Sequence, residues 1–248
     1  MPERKDGNKL KKIMNDPSNI VEEMLEGLVK SYPELVHRVE SSRVVAKNQK
    51  AEQVGLVSGG GSGHEPSHAG FVGEGMLSAA VLGDVFTSPT PDQIQTAIKE
   101  ADSGKGVLLI VKNYTGDALN FDMAKELAAM DDIEVESVIV DDDIAVENST
   151  YTAGKRGVAG TVLVHKIVGD AARNGASLAE LKELGEKVVQ ATKTIGLALR
   201  AATVPEVGKP GFELGEDEMV LVSTVSQAIV EKRCSLLKYW QRNLLLRF

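Results

Sequence analysis

The sequence predicts an α/β fold: a mostly parallel sheet flanked by helices on both faces, with the start of a second α/β domain. Two observations predict it. Segments with helical and with strand periodicity alternate along most of the chain, which is the pattern of parallel strands joined by helices. Residues 107–111, Val-Leu-Leu-Ile-Val, form an unbroken apolar run of strand length, which is typical of a strand covered on both faces.

The first predicted helix begins at Asp16-Pro17, because aspartate is a favoured N-cap and proline fits the first helical position. Apolar residues then recur on one face until Tyr32, which precedes a proline, ends the helix. Residues 54–57 are mainly apolar and predict a buried strand. This strand leads into a glycine-rich loop at 58–66.

The rest of the chain continues this alternation, although residues 70–82 are rich in small side chains and their structure stays ambiguous. The predicted elements are a helix at 93–101, a strand at 107–111, a helix at 118–130, a strand at 133–140 and helices at about 157–174 and 177–194. In open α/β sheets, ligands bind beyond the carboxyl ends of the strands. The loops predicted at 58–66 and 112–117 both lie there.

Composition narrows the class of protein. The net charge of −8 argues against a nucleic-acid-binding protein. The single cysteine excludes a disulfide framework and fits a reducing compartment. No stretch approaches the roughly 20 apolar residues of a membrane span, and residues 1–12 lack the apolar core of a signal peptide. We therefore expect a cytoplasmic protein with no membrane or nucleic-acid partner.

The glycine-rich segment at 58–66 reads Ser-Gly-Gly-Gly-Ser-Gly-His-Glu-Pro and is the most informative part of the chain. Glycines after a strand let the backbone approach a ligand closely and direct N–H groups at its oxygen atoms. The imidazole of His64 can move a proton at neutral pH. The alternative is a flexible turn with an incidental histidine.

His64 and His68 also match the H-E-x-x-H pattern of zinc sites. That chemistry needs both histidines on one face of a regular helix, and Pro66 lies between them directly after the glycines. No later histidine-rich segment offers a third ligand. We therefore expect no metal site, with His68 as a pocket-wall or structural residue.

Six motifs stand in order between residues of about 10 and 219. They are the segment at 58–66, Phe-Thr-Ser-Pro-Thr-Pro at 86–91, Lys-Asn-Tyr-Thr-Gly-Asp at 112–117, Asp-Asp-Asp at 141–143, Tyr-Thr-Ala-Gly-Lys-Arg-Gly at 151–157 and Thr-Val-Pro at 203–205. Together they resemble the K subunit of dihydroxyacetone kinases. The order and spacing make the resemblance specific, whereas any one motif alone would be weak.

The resemblance implies a subunit that binds dihydroxyacetone and presents its hydroxyl for phosphorylation. It implies a homodimer whose phosphoryl donor is a separate, ADP-bound L subunit, recharged by a partner from the phosphotransferase system. ADP or ATP and magnesium are then expected on the L subunit and no cofactor on this one. The chain contains no G-x-x-x-x-G-K-[ST] sequence, which agrees with a separate donor. The alternative is a regulatory paralogue that senses dihydroxyacetone and binds a transcriptional activator.

The resemblance also assigns roles to individual residues. The implied site residues are Gly61, Ser62, Gly63, His64, Lys112 and Asp117. The glycine segment supplies backbone N–H contacts, and His64 and Asp117 share the work of orienting the hydroxyl and accepting its proton, while Lys112 lies near the substrate. The alternatives are a helix N-cap for Asp117 and a solvated charge for Lys112. A magnesium site at residues 141–143 is less favoured than a capped strand end, since the family places its metal on the L subunit.

Residues 220–248 depart from the family pattern. Family K subunits continue with Gly-Val-Gly-Ile-His-Gly-Glu-Pro-Gly, whose histidine holds the substrate carbonyl as a covalent hemiaminal, and no histidine follows Met219 here. The charge also changes: the chain has 28 basic and 36 acidic residues, but residues 231–248 have five basic and one acidic. A basic tail for a membrane surface or nucleic acid is one explanation.

A shifted reading frame is the better explanation. Codons for residues 219–228 can be chosen so that the same bases, read two positions further along, encode the family segment. The third base of each codon is free in this choice, whereas the first two bases of nine successive codons all agree with the family segment. We therefore expect a one-nucleotide frameshift tail at 220–248, after a first domain at 1–194 and the opening of an incomplete second domain at 195–219. Without the histidine, turnover is expected to be impaired.

Overall fold

A computed structural model describes residues 13–145, 154–208, 210–215, 218–221 and 229–232. The helices are α1 (Ile20–Ser31), α2 (Pro91–Ala101), α3 (Thr115–Ala129), α4 (Thr161–Arg173) and α5 (Leu178–Ala191). The strands are β1 (Val36–Arg38), β2 (Val44–Lys47), β3 (Gly55–Ser62), β4 (Ala79–Val85), β5 (Val107–Lys112), β6 (Val135–Val140), β7 (Glu218–Leu221) and β8 (Ile229–Lys232). Short 3₁₀ turns occur at Pro17–Asn19 and Ala69–Phe71.

Six strands form the main sheet in the order β1-β2-β4-β3-β5-β6. Strands β4, β3, β5 and β6 are parallel, whereas β2 pairs antiparallel with both β1 and β4. The prediction of a mostly parallel sheet is confirmed. Strands β1 and β2 were not predicted, because three and four residues are too few to show a period of two.

Helices cover both faces of this sheet, as predicted. Alternate residues of β5 enter different cores: Leu108 and Ile110 pack with α1, α4 and α5, whereas Val107, Leu109 and Val111 pack with α2 and α3. The apolar run therefore belongs to a strand buried on both sides. This packing fixes the end of β5, where Lys112 begins the site.

The glycine segment differs from the expected loop. Strand β3 continues through Gly59–Gly61 to Ser62, still paired in parallel with β4, so the turn starts only at Gly63. A Cβ at Gly59 would collide with Val81, and one at Gly61 would lie 2.5 Å from the backbone nitrogen of Thr87. The glycines are thus needed for close packing within the sheet edge as well as for a turn.

Helix α3 also differs from the prediction, because it begins at Thr115 rather than at 118. Asp117 therefore lies in the first helical turn and not in a loop. The first three helical residues, Thr-Gly-Asp, are polar or weak helix formers, so apolar periodicity could not reveal them. An acidic side chain is favourable in this first turn, where the helix dipole is positive.

The C-terminal described residues form a second, two-stranded antiparallel sheet of β7 and β8. A bridge between Ala198 and Val220 connects β7 to the preceding segment. The predicted frameshift tail at 220–248 lies largely outside the described residues. Among the helices that the structure describes, none is long and apolar enough to cross a membrane.

Candidate active site at the carboxyl ends of β3 and β5

Lys112 and Asp117 approach each other over Gly60. A Cβ built on Gly60 would lie 3.4 Å from Asp117 Oδ2 and 3.5 Å from Lys112 Nζ. Lys112 ends β5 and Asp117 is in α3, and both side chains are buried, with exposed fractions of 6% and 4%. The glycine leaves room between an ammonium group and a carboxylate at the sheet edge where ligands of this fold class bind.

Lys112 is a buried cation with unused donors. Within the described part of the chain its ammonium group donates no hydrogen bond, and its nearest ring neighbour is Tyr114, 5.4 Å from Nζ to the ring centroid. Burial lowers the pKa of Lys112, while the charges of Asp117 and Asp142 act in the opposite direction. The alternative of a solvated charge for Lys112 is therefore wrong. An ammonium group that donates no hydrogen bond to the described residues is suited to hold a ligand oxygen.

Asp117 is anchored at only one of its oxygens. Ser88 Oγ donates a 2.5 Å hydrogen bond to Asp117 Oδ1. Burial raises the pKa of Asp117, and the Ser88 hydrogen bond and the Lys112 charge oppose that rise. The helix N-cap is Tyr114, so the alternative that Asp117 caps α3 is wrong.

His64 lies in the turn after β3 and is half-buried. Its Nδ1 is 3.3 Å from the carbonyl oxygen of Gly61, and its ring meets the Phe86 ring edge-on at 5.1 Å between centroids. Burial lowers the pKa of His64, and the positive charge of Lys112 lowers it further. The imidazole is therefore neutral near pH 7 and can accept a proton.

His64 and Lys112 both line a cavity of about 390 Å³. Tyr114 and the segment at 157–159 form part of its wall. This volume is in the lower range of small-molecule sites and exceeds the needs of a three-carbon ligand. Three of the residues predicted from two separate loops, His64, Lys112 and Asp117, thus meet at one edge of the sheet.

The predicted cradle residues have more internal contacts than expected. Ser62 Oγ donates to the Gly83 carbonyl at 2.8 Å, and the Gly63 N–H donates to Glu65 Oε1 at 2.9 Å. Gly61 packs against the backbone of Phe86 and Thr87. Ser62 lines a second cavity of about 450 Å³ on the side of α1, and Gly63 lines both this cavity and the one that His64 and Lys112 share. The glycine that faces Lys112 and Asp117 is Gly60, which the sequence pattern did not single out.

His68 has a structural environment. Residues 64–68 do not form a regular helix, and His68 is buried with its Nδ1 3.2 Å from Ser58 Oγ and 3.1 Å from His165 Nε2. Burial lowers the pKa of both histidines, that of His165 to about 3. In the described ranges no three His, Cys, Asp or Glu side chains are grouped as metal ligands would be.

Two of the three acidic residues after β6, Asp142 and Asp143, are engaged in hydrogen bonds within the protein. Asp142 accepts hydrogen bonds from the backbone N–H groups of Val158 and Gly160, at 2.8 and 2.7 Å. Asp143 accepts from Arg156 Nη2 at 2.6 Å and from the Ala145 N–H at 2.9 Å. These carboxylates fix the loop that follows β6, in agreement with the interpretation of a capped strand end.

Comparison with known proteins gives close relatives. The chain is 69% identical over 213 residues to the "PTS-dependent dihydroxyacetone kinase 1, dihydroxyacetone-binding subunit DhaK" of Listeria innocua serovar 6a, covering 86% of this chain and 65% of that protein. It is 51% identical over 211 residues to the "PEP-dependent dihydroxyacetone kinase, dihydroxyacetone-binding subunit DhaK" of Escherichia coli K12, covering 85% and 59%. The chain thus spans less than two thirds of the length of these curated relatives.

Solved structures of related proteins show the same similarity. The native dihydroxyacetone kinase of C. freundii superposes with a TM-score of 0.80 at 39% identity, covering 85% of this chain and 39% of that one. The "dihydroxyacetone kinase operon co-activator Dha-DhaQ" superposes with a TM-score of 0.79 at 36% identity, covering 90% and 73%. The model of the Dak1 domain family matches residues 26–222, a range that contains β3, β5 and the first turn of α3. The chain therefore belongs to the Dak1 domain family.

Proposed function

We propose that this chain is the substrate-binding subunit of a dihydroxyacetone kinase, which holds dihydroxyacetone while a partner protein supplies the phosphoryl group. The observation that carries the proposal is the buried Lys112 ammonium group, which lies without a hydrogen bond among the described residues opposite Asp117 Oδ2, in a cavity shared with His64. The names of the Listeria and Escherichia relatives support the choice of substrate.

In the proposed reaction, a hydroxyl oxygen of dihydroxyacetone forms a bond to the donor phosphorus while the bond from phosphorus to the donor's leaving oxygen breaks. The hydroxyl proton passes to His64 or to Asp117, and the other of the two orients the hydroxyl. A positioned general base typically accelerates such a step by roughly 10²–10⁴-fold. Lys112 donates to a substrate oxygen and stabilises the negative charge that develops there.

The proposed donor is an L subunit that carries ADP and magnesium and is recharged through the phosphotransferase system. The "PTS-dependent" name of the Listeria relative supports this arrangement. We further propose that the subunit works as a homodimer in the cytoplasm. The division into residues 1–194, an opening of a second domain at 195–219 and a frame-shifted tail at 220–248 also remains a proposal, which the nucleotide sequence around codon 220 tests directly.

The second candidate function is regulation, supported by the similarity to the operon co-activator at 36% identity. A regulatory protein would need a similar triose pocket and a surface for a transcriptional activator, but no phosphoryl transfer. Neighbouring genes for an L subunit and a phosphotransferase protein favour the kinase, whereas a lone activator gene favours regulation.

The test of the kinase proposal is reconstitution of the full chain with an L subunit and a phosphotransferase-system donor. We expect dihydroxyacetone phosphate to form, and His64→Ala and Asp117→Ala each to lower its rate of formation at least a hundredfold. Binding of dihydroxyacetone without any phosphorylation, by a chain whose reading frame has been verified, would support the regulatory alternative instead.

A further inference from the structure

Ser88 reaches the candidate active site from an element to which no role was assigned. It lies in the loop between β4 and α2, whereas Asp117 belongs to α3, so their 2.5 Å hydrogen bond connects two separate parts of the fold. Ser88 is only partly buried and Asp117 is 4% exposed. The contact therefore forms where the loop closes over the start of α3.

Two further contacts hold this loop against α3. Asn120 Nδ2, one helical turn after Asp117, donates to the carbonyl oxygen of Pro89 at 2.8 Å. A Cβ on Gly116 would lie 2.7 Å from Ser88 Oγ, so the glycine preserves the space that the hydroxyl occupies. The Ser88 hydroxyl is thus fixed in place by its neighbours on both sides.

The hydrogen bond distinguishes the two oxygens of Asp117. Oδ1 accepts from Ser88, while Oδ2 lies 3.4 Å from the position that a Cβ on Gly60 would take, on the side of Lys112. The Ser88 donor fixes the plane of the carboxylate, because rotation of the carboxylate out of this plane would break the hydrogen bond. Only Oδ2 is then presented to a ligand.

We infer that Ser88 is a positioning residue that fixes Oδ1 of Asp117 and thereby directs Oδ2 at the reacting hydroxyl of the triose. The inference rests on the proposed function. A donated hydrogen bond is stronger to a carboxylate than to a carboxylic acid, so Ser88 also favours the ionised form of Asp117. In agreement, the Ser88 hydrogen bond lowers the pKa of Asp117 against the rise that burial causes.

Three variants separate this role from a merely structural one. Ser88→Ala removes the donor without adding volume, and Ser88→Thr keeps a hydroxyl at the same position. Thr87→Val is the matched control, because Thr87 is the exposed neighbouring residue and its hydroxyl makes only a 3.4 Å contact with the Val85 carbonyl. All three are made in the full chain and checked for an unchanged thermal midpoint.

The experiment measures the titration of the Asp117 carboxyl carbon by ¹³C NMR, together with kcat and KM for dihydroxyacetone between pH 5 and 9. In Ser88→Ala we expect the titration of Asp117 and the acid limb of the kcat profile both to move to higher pH. We expect kcat near pH 7 to fall about 10- to 100-fold, the loss typical of a hydrogen bond to a charged group, with a smaller change in KM. Ser88→Thr restores most of the rate, and Thr87→Val changes neither quantity.

The outcomes distinguish the inference from the function on which it rests. An Asp117 titration that is the same in Ser88→Ala and in the unmodified chain overturns the inference, whatever the activity. A shifted titration with an unchanged kcat profile overturns it as well, because Ser88 would then affect Asp117 without affecting the reaction. Failure of the unmodified chain to bind dihydroxyacetone contradicts the proposed function itself.

Discussion

Two neighbouring parallel strands, β5 and β6, both end in charged residues at the same edge of the sheet, but these residues are used differently. After β6, Asp142 and Asp143 take four hydrogen bonds from backbone N–H groups and from Arg156. After β5, the ammonium group of Lys112 donates no hydrogen bond to the described residues, and the side chain of Asp117 accepts one, from Ser88.

The difference separates a structural cluster from a ligand site. Buried polar groups are nearly always satisfied within the protein, so a fully bonded carboxylate needs no ligand to explain it. The Lys112 ammonium group donates no hydrogen bond to the described residues and faces a carboxylate oxygen across a glycine, so it is available to hold a ligand. The two strand ends should therefore respond differently to substitution: changes at β5 should impair function, and changes at β6 should impair stability.

The largest expected effect is at the β5 end. Asp117→Asn is expected to lower phosphorylation of dihydroxyacetone roughly 10²–10⁴-fold, measured with the donor subunit in excess. The thermal midpoint should stay the same or rise, because burial raises the pKa of Asp117 and the ionised group is therefore unfavourable for folding above its unfolded pKa. Asp122→Asn, an exposed acid on the same helix, is the control and should change neither quantity. Nearly unchanged turnover in Asp117→Asn would make this carboxylate structural.

The opposite result is expected at the β6 end. Asp143→Asn removes the carboxylate that faces the buried Arg156 guanidinium, and breaking a buried ion pair in this way typically costs about 3–5 kcal/mol. Urea unfolding should show this loss, while dihydroxyacetone binding by the remaining folded protein should be retained. Asp141→Asn, at the half-buried position two residues earlier, is the matched control. Loss of binding without loss of stability would reverse the roles of the two strand ends.

The smallest effect at neutral pH is expected from His165, which packs behind β5. Burial, and then the charge of Lys112, lower the pKa of His165 to about 3, whereas an unfolded histidine titrates near 6.5. Between these values only the unfolded state binds the proton, so stability should fall as the pH is lowered from about 6.5 towards 3, by about 1.4 kcal/mol per pH unit. His165→Leu should reduce this slope of the unfolding free energy against pH. An equal slope in both proteins would show that His165 is not buried in its neutral form.

The sequence predicted which residues lie at the ends of β3 and β5, because that placement depends on patterns that extend over many residues. The apolar run of β5 and the alternation of elements placed His64, Lys112 and Asp117 at one sheet edge, because the ends of parallel strands share an edge. The hydrogen bonds to Asp142 and Asp143 form only because Arg156 and the turn at 158–160 fold back against the end of β6. No local pattern could show that.

The remaining differences have similar physical causes. The sequence predicts Gly61 as a cradle residue, but Gly61 packs against Phe86 and Thr87, so Gly61→Val would distort the protein backbone and is a poor probe of ligand binding. The glycine that leaves the space between Lys112 and Asp117 is Gly60. Ser88 is separated from Asp117 by 29 residues, and a hydrogen bond over that distance has no sequence signature.

The central claim is that the unused donors of Lys112 hold dihydroxyacetone. Calorimetric titration of dihydroxyacetone into the full chain, Lys112→Met and the exposed-site control Lys105→Met tests it most directly. We expect the unmodified chain and Lys105→Met to bind equally, and Lys112→Met to bind at least about tenfold more weakly, since hydrogen bonds to charged groups typically contribute 1.5–3 kcal/mol. Equal affinity in all three proteins would contradict the claim.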